Sequence, residues 1–291
     1  MNHTQFNLVL AEIRHDRTHG ASELARRCLL ILAEAARAQP AGSVAELREG
    51  LLALNAELAR TRPSMAPIQN LLCRWREALA FDARTDLAVA RRMAVERAES
   101  LIAASRQAVT DCAARTTNLL GPGRTVMTHS LSSTVVEVCR LLADQGVRMI
   151  VTESRPLMEG RQLAERLSTW GVPTTLITDA QMGLFVAEAD AVLVGADSVL
   201  ADGAVVNKAG TYLLALAARD QGIPFYVCCE SFKWCGVGQP PPELEEMAAA
   251  EMEAPDWSGV TVRNVYFDLT PARLVSAWID ETGVRWPETE P

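Results

Sequence analysis

The chain has 291 residues, 49% of them hydrophobic and 5% aromatic, with a formal net charge of -8 at pH 7. That length and apolar share suit one large or two ordinary domains with a real core. A pI of about 5.2, without a basic run interleaved with aromatics, argues against nucleic-acid binding as the main task. No apolar stretch is long enough to span a bilayer, and the opening MNHTQFNLVLAEIRHDR lacks the layout of a signal peptide, so no membrane association and a cytoplasmic location are expected. Seven cysteines fall at irregular spacing. Cys228, Cys229 and Cys235 are close in sequence, but no His or C-x-x-C accompanies them. Buried thiols in a reducing compartment are expected, not a zinc site or a disulfide framework. No metal and no organic cofactor is implied.

Residues 1–118 read as a helical domain. Ser22 is placed to cap a helix carrying Leu24, Cys28, Leu29, Leu32, Ala35 and Ala36 on one face. Pro40-Ala41-Gly42 breaks it. Ser43 with Glu46 three residues later is a capping-box pattern ahead of Leu47, Leu51, Leu54 and Leu58. Arg62-Pro63-Ser64 interrupts again, and a third helix starts at Ser64 or Met65 and runs through Trp75 to Leu79. A long helix follows from about Thr85 to Arg115, its alternating charges forming a solvated face.

At Gly121-Pro122-Gly123 the pattern changes. Strands at Thr125–Thr128, Met149–Thr152, Thr174–Ile177, Ala191–Val194 and Phe225–Cys228 alternate with helices at Ser133–Asp144, Met158–Trp170, about Gln181–Ala187 and Lys208–Gln221. Repeated β-α units predict a Rossmann-like, doubly wound parallel sheet over residues 119–291. Gly146, Gly171 and Gly222 fall where carboxyl-terminal helix caps belong. Gln239–Gly259 reads as a mobile acidic loop with a short helix. A last strand at Asn264–Asp268 and a helix at Pro271–Asp280 close the chain.

The stretch GADSVLADGAVVNKAGTYLL, Gly195–Leu214, organises the chemistry. Asp197 follows a buried strand, at the sheet edge where open parallel sheets bind ligands. Asn207 and Lys208 read as opening the next helix, where an amide, an ammonium and free N–H groups suit a phosphate. Asp197 is equally readable as a turn or cap residue. Ser130, Ser132 and Ser133 sit between the first strand and its helix, with hydroxyls and N–H groups for a phosphate or sugar; a plain Ser cap is the alternative. Arg155 and Lys233 follow other strands and suit an anion, or are ordinary solvated cations. His19-Gly20-Ala21-Ser22 and Arg62-Pro63-Ser64 offer backbone N–H groups and a guanidinium, or are ordinary caps.

Together, GADSVLADGAVVNKAGTYLLALAA, TESRPLMEGRQLAERL, PFYVCCESFKW and NVYFDLTPARLVSAWIDETG resemble one family over nearly the whole chain. That family contains the alpha, beta and delta subunits of eukaryotic translation initiation factor two B, and the enzymes methylthioribose-1-phosphate isomerase and ribose-1,5-bisphosphate isomerase. The phrase ESFKW resembles the alpha subunit and its archaeal and bacterial relatives. The resemblance implies a helical domain, a Rossmann-like domain, a pocket for a sugar phosphate or a nucleotide such as AMP, and a homodimer or higher homo-oligomer formed mainly through the second domain.

Motif by motif, the resemblance makes Asp197 the isomerases' proton donor. It makes Asn207, Lys208 and Lys233 ligand-binding residues, and places Arg62 and the His19–Ser22 stretch at a phosphate. His19 stands where the enzymes usually carry Arg, which makes that contact pH-sensitive. Ser130 stands where the isomerases carry the cysteine taken as the base. An aldose-to-ketose shift needs a base for the C2 proton and an acid for an oxygen. A serine hydroxyl has no anion near neutral pH unless a neighbouring base activates it. Two readings follow: a regulatory protein that binds the ligand with weak or no turnover, or an aldose-ketose isomerase acting on a phosphorylated pentose such as ribose 1,5-bisphosphate.

Overall fold

The structure is a computed structural model that describes residues 3–77, 79, 81, 84–238 and 242–287. It divides into two compact units, Met1–Gln107 and Ala108–Pro291, each described by itself. The first contains α1 (His3–His15), α2 (Ala21–Ala38), α3 (Val44–Ala59), α4 (Ala66–Glu77) and the start of α5 (Leu87–Leu120). Leucines at helical spacing bury one stripe per helix: Leu24, Leu29 and Leu32 of α2, Leu47, Leu51 and Leu58 of α3, and Ile68, Leu71 and Trp75 of α4 are all fully buried. Two polar side chains in this core bond to backbone carbonyls. Trp75 Nε1 donates to Ala94 O at 2.9 Å, and Asn55 Nδ2 to Leu72 O at 3.0 Å. Ser43 caps α3 as expected, accepting from Glu46 N at 3.2 Å. Ser22 does not cap α2: the cap position is Gly20, and Ser22 lies inside the first turn. The Asp16 carboxylate already turns the chain by taking the Thr18 and His19 N–H groups, so the helix starts one residue before Ser22.

The second unit carries β1 (Thr125–Thr128), α6 (Ser133–Leu142), β2 (Arg148–Thr152), α7 (Glu159–Thr169), β3 (Thr174–Ile177), α8 (Met182–Phe185) and β4 (Ala191–Val194). It continues with β5 (Ser198–Val199), β6 (Val205–Lys208), α9 (Thr211–Asp220), β7 (Phe225–Cys228), β8 (Phe267–Thr270), β9 (Ala277–Ile279) and β10 (Val284–Arg285). Seven strands form one sheet in the order β10-β9-β7-β4-β1-β2-β3, parallel except for β10 against β9. Alternation sends successive side chains to opposite faces. Met127, Ile150, Val192 and Val227 pack with Leu214, Ala215 and Ala218 of α9. Val126, Met149, Val151 and Leu193 pack with Val135, Val138 and Leu142 of α6 and Leu163 and Leu167 of α7. Helices therefore cover both faces, the doubly wound arrangement the β-α repeat predicts. Gly146, Gly171 and Gly222 all take positive φ, as carboxyl-terminal caps do.

Two sequence expectations fail here. Asn207 and Lys208 do not open a helix; they end β6, which lies in a second, antiparallel sheet of order β5-β6-β8, and α9 begins only at Thr211. β-branched Val205 and Val206 pair with Thr270 and Leu269 across the ladder, and that pairing overrides the helical periodicity downstream. Pro271–Asp280 is not a helix either. It is a 3-10 turn at Ala272–Leu274 followed by β9, because Ala277, Trp278 and Ile279 pair with Tyr226, Val227 and Cys228 of β7. In the acidic loop, Gln239–Pro241 lie outside the described residues, and the short helix is a 3-10 turn at Ala249–Met252. No helix among the described residues is long and apolar enough to cross a membrane.

Candidate functional site

Strand order fixes where ligands gather. β1 lies between β4 and β2, so the chain winds away from it in both directions, which makes the β1/β4 boundary a topological switch point. His129 and Ser130 follow β1, Asp197 follows β4, Ser154 and Arg155 follow β2, and Glu230 and Lys233 follow β7. All leave the carboxyl edge of parallel strands. Asp197 is half-buried, and its N–H donates to Val206 O at 2.9 Å, which joins the switch point to the small sheet carrying Asn207 and Lys208.

Both lysines are buried and paired with a carboxylate. Lys233 Nζ lies 3.3 Å from Glu230 Oε2, with side chains only 5% and 1% exposed. Burial opposes the charge on Lys233, but the fields of Glu230, Cys229 and Asp197 outweigh it and leave its pKa raised, so it is a cation. Lys208 Nζ lies 2.7 Å from Glu159 Oε1 at the start of α7, and 4.2 Å above the Tyr266 ring. The other oxygen of Glu159 is buried without a hydrogen-bond partner among the described residues. Asn207 Nδ2 donates to Thr211 Oγ1 at 3.0 Å, and Thr211 Oγ1 donates to Lys208 O at 2.6 Å. Opposite Asn207 on β8, Asp268 accepts from the Gly210 and Tyr212 N–H groups at the start of α9, at 2.7 and 3.1 Å. Burial nevertheless pushes its carboxyl up to about 6.

The serines after β1 stand differently from one another. Ser130 is half-buried at φ 68, and its N–H donates to Ser154 Oγ at 2.8 Å. Ser132 is the cap of α6, with Val135 N at 3.5 Å from its Oγ, and Ser133 is exposed in the first turn. Ser132 presses against the end of β4: a Cβ added to Gly195 would lie 2.4 Å from Ser132 Oγ. Glycine at that position therefore lets the serine loop approach the strand that delivers Asp197.

In the first unit, Arg62 is 3% exposed and donates to Asp16 O at 3.2 Å, tying it to the turn that carries His19. His19 Nδ1 is 2.7 Å from Asp16 Oδ2, and that hydrogen bond raises the imidazole's pKa. Burial alone would raise the Asp16 carboxyl, but hydrogen bonds from His19 and Thr18 leave it lowered. Gly20 precedes α2, so the N–H groups of Ala21 and Ser22 face outward from its first turn without intrahelical partners. Ser22 Oγ is buried without a hydrogen-bond partner among the described residues.

Sequence reading passed over Glu159, Glu230, Asp268 and the ring contacts of His129. One signal was available: Lys208 and Lys233 are the only two lysines in the chain, and every other cationic side chain except histidine is arginine. An ammonium is compact and titratable, so a chain that uses arginine at all surface sites and lysine at two buried ones marks those two. The carboxylates that hold them follow from burial, which no unpaired ammonium tolerates.

The chain matches the Initiation factor 2 subunit family over residues 17–287. It is 37% identical over 285 residues to a putative translation initiation factor eIF-2B subunit 2-like protein of Pyrococcus horikoshii, covering 96% of this chain and 95% of the relative. It is 32% identical over 296 residues to the ribose 1,5-bisphosphate isomerase of Haloferax volcanii, covering 99% of this chain and 90% of the relative. The fold is similar to the crystal structure of the Pyrococcus horikoshii OT3 translation initiation factor eIF-2B, with a TM-score of 0.84 and 34% identity over 99% of this chain and 98% of that one. It is also similar to 5-methylthioribose 1-phosphate isomerase from Pyrococcus horikoshii OT3, with a TM-score of 0.76 and 25% identity over 97% and 84% of the two chains. Helical first unit, mostly parallel second unit and sequence together place this chain in the initiation factor 2 subunit family.

Proposed function

We propose that this protein binds a phosphorylated pentose or a nucleotide such as AMP, and acts as a regulatory member of its family with weak or no turnover. The observation that carries this reading is two buried, carboxylate-held lysines: Lys233, next to Asp197, after a strand of the parallel sheet, and Lys208, next to Asn207, at the end of β6. In the second unit, Asp197, Asn207, Lys208, Lys233, Ser132 and Ser133 are the residues offered to the ligand's sugar; in the first unit, taken by itself, Arg62 and the His19–Ser22 turn suit a phosphate. Because Glu159 and Glu230 already balance the lysines, this edge suits hydroxyls and a polarised oxygen better than a second full dianion.

Weak turnover is supported by the surroundings of Ser130. Among the described residues no base accepts its hydroxyl, and the neighbouring imidazole is engaged at both nitrogens, by Thr152 Oγ1 at 2.6 Å and Ala209 O at 2.9 Å. A missing general base typically forfeits on the order of 10²–10⁴ in rate. The isomerase reading keeps one specific support: Asp197 persists near a cationic Lys233, an ammonium that suits the developing charge on a sugar oxygen. Ribose 5-phosphate and AMP are expected to raise the melting temperature, with no conversion of ribose 1,5-bisphosphate to ribulose 1,5-bisphosphate. Conversion that disappears in Asp197→Asn would establish the isomerase instead.

Self-association fits an apolar face formed by α8, α9 and β8, where Leu184, Leu213 and Leu269 are 69%, 65% and 41% exposed. A homodimer through this face is expected in sedimentation, with Leu213→Glu sedimenting as a monomer. All seven cysteines are free thiols, in keeping with the cytoplasm.

A further inference from the structure

We infer that His129 is a positioning residue that locks the Ser130 turn and the Lys208–Gly210 segment into one register. The two pieces belong to different sheets, and the imidazole spans them. Its side chain is fully buried. Nε2 lies 2.9 Å from Ala209 O, a group that can only accept, so Nε2 carries the proton. Nδ1 must then accept, and its 2.6 Å partner is the Thr152 hydroxyl. That hydroxyl in turn lies 3.1 Å from Ser154 Oγ, which accepts the Ser130 N–H at 2.8 Å. A single directed chain of hydrogen bonds thus runs from the Ser130 backbone to the carbonyl that follows Lys208.

The backbone is shaped around this chain. Ser130 and Ser154 take φ of 68 and 62, a conformation non-glycine residues seldom adopt. Ser154 is held there by its N–H donating to Asp179 Oδ1 at 2.8 Å, and Arg155 N donates to Asp179 Oδ2 at 2.7 Å. On the far side Gly210 takes φ 112, and an added Cβ would sit 2.8 Å from His129 Nε2, so the ring is accommodated by the absence of a side chain. Three charged groups face the imidazole from the packed elements: Asp179 after β3, Lys208 on β6 and Glu159 on α7. Burial outweighs the two carboxylates and lowers its pKa, so the ring stays neutral and the donor pattern holds.

That the lock tunes ligand affinity rests on the sugar-phosphate reading; that it fixes Lys208 does not. Chemistry supplies a clean readout, because the chain has four histidines and only two lysines. In protein labelled with 15N-histidine and 13C-lysine, the His129 ring is expected as the Nε2–H tautomer, without titration from pH 5.5 to 8. His129→Asn, whose amide reaches only to the Nδ1 position, is expected to move the Lys208 Cε resonance and leave that of Lys233 in place. His129→Gln reaches to Nε2 and restores most of the Lys208 shift. Ribose 5-phosphate binding should weaken about five- to tenfold in His129→Asn, the scale of one lost hydrogen bond, and recover in His129→Gln. An Nδ1–H tautomer, or a titration near the ordinary value of about 6.5, would overturn the assignment. So would equal movement of both lysines, which signals general loosening, or movement of neither. A lysine shift in a protein that ignores ribose 5-phosphate would uphold the lock and sink the ligand reading.

Discussion

Asp268 offers a sharp test of how burial is arranged around the site. Its carboxylate takes two N–H groups at the start of α9, which favours the charged form, yet burial dominates and lifts its pKa from 3.8 to about 6. Oδ1 is buried without a hydrogen-bond partner among the described residues, which is where the desolvation cost falls. A carboxyl raised in the folded state binds more protons folded than unfolded between those two values. Stability therefore falls as pH rises from about 4 to 6 and stays at the lower level above. At about 1.4 kcal/mol per unit, the loss attributable to this residue is about 3 kcal/mol. Asp268→Asn keeps an oxygen for both N–H groups and removes the ionisation. Its amide N–H groups are then buried where Oδ1 was, at a cost of about 1–3 kcal/mol. The substitution is thus expected to be destabilising by about 1–3 kcal/mol near pH 4 and neutral to stabilising by about 2 kcal/mol at pH 7, the difference between variant and parent changing by about 3 kcal/mol. Urea unfolding at half-unit steps from pH 4 to 7.5, read at tryptophan fluorescence, measures it. Parallel stability curves for the two proteins would refute the reasoning.

Lys233→Met strands the Glu230 carboxylate, which is 1% exposed, and is expected to cost about 3–5 kcal/mol; adding Glu230→Gln should recover most of it in the same urea assay. Gly195→Ala forces Ser132 away from the end of β4, with an expected cost of about 1–3 kcal/mol and weaker ribose 5-phosphate binding by calorimetry. His19 is raised by Asp16, so its cationic form contributes fully below the unfolded value and is lost as pH rises through the folded one. AMP affinity should fall through that same window, and Asp16→Ala should move the window down by imidazole NMR titration. Ser130→Cys should raise any conversion of ribose 1,5-bisphosphate in a coupled assay, because a thiolate is far more accessible than an alkoxide.

Five apolar strand runs alternating with four helical stretches were enough to predict the parallel sheet, because a strand buried on both faces has few other readings. The leucine spacing of α2 and α3 likewise announces their buried stripes. Motif order carried the family. Local pattern misled where pairing partners lie far off in the chain: Asn207 and Lys208 read as a helix start until β8, some sixty residues on, takes them into a ladder, and Ala277–Ile279 read as helical until β7 pairs with them. The tertiary structure alone decided which carboxylates hold the lysines. Glu159 reaches Lys208 across the space between two sheets, and His129 turns from its own strand neighbour to the carbonyl of Ala209. Charge pairing and hydrogen-bond direction depend on distances of a few ångströms between segments remote in sequence, and such distances exist only once the chain has folded.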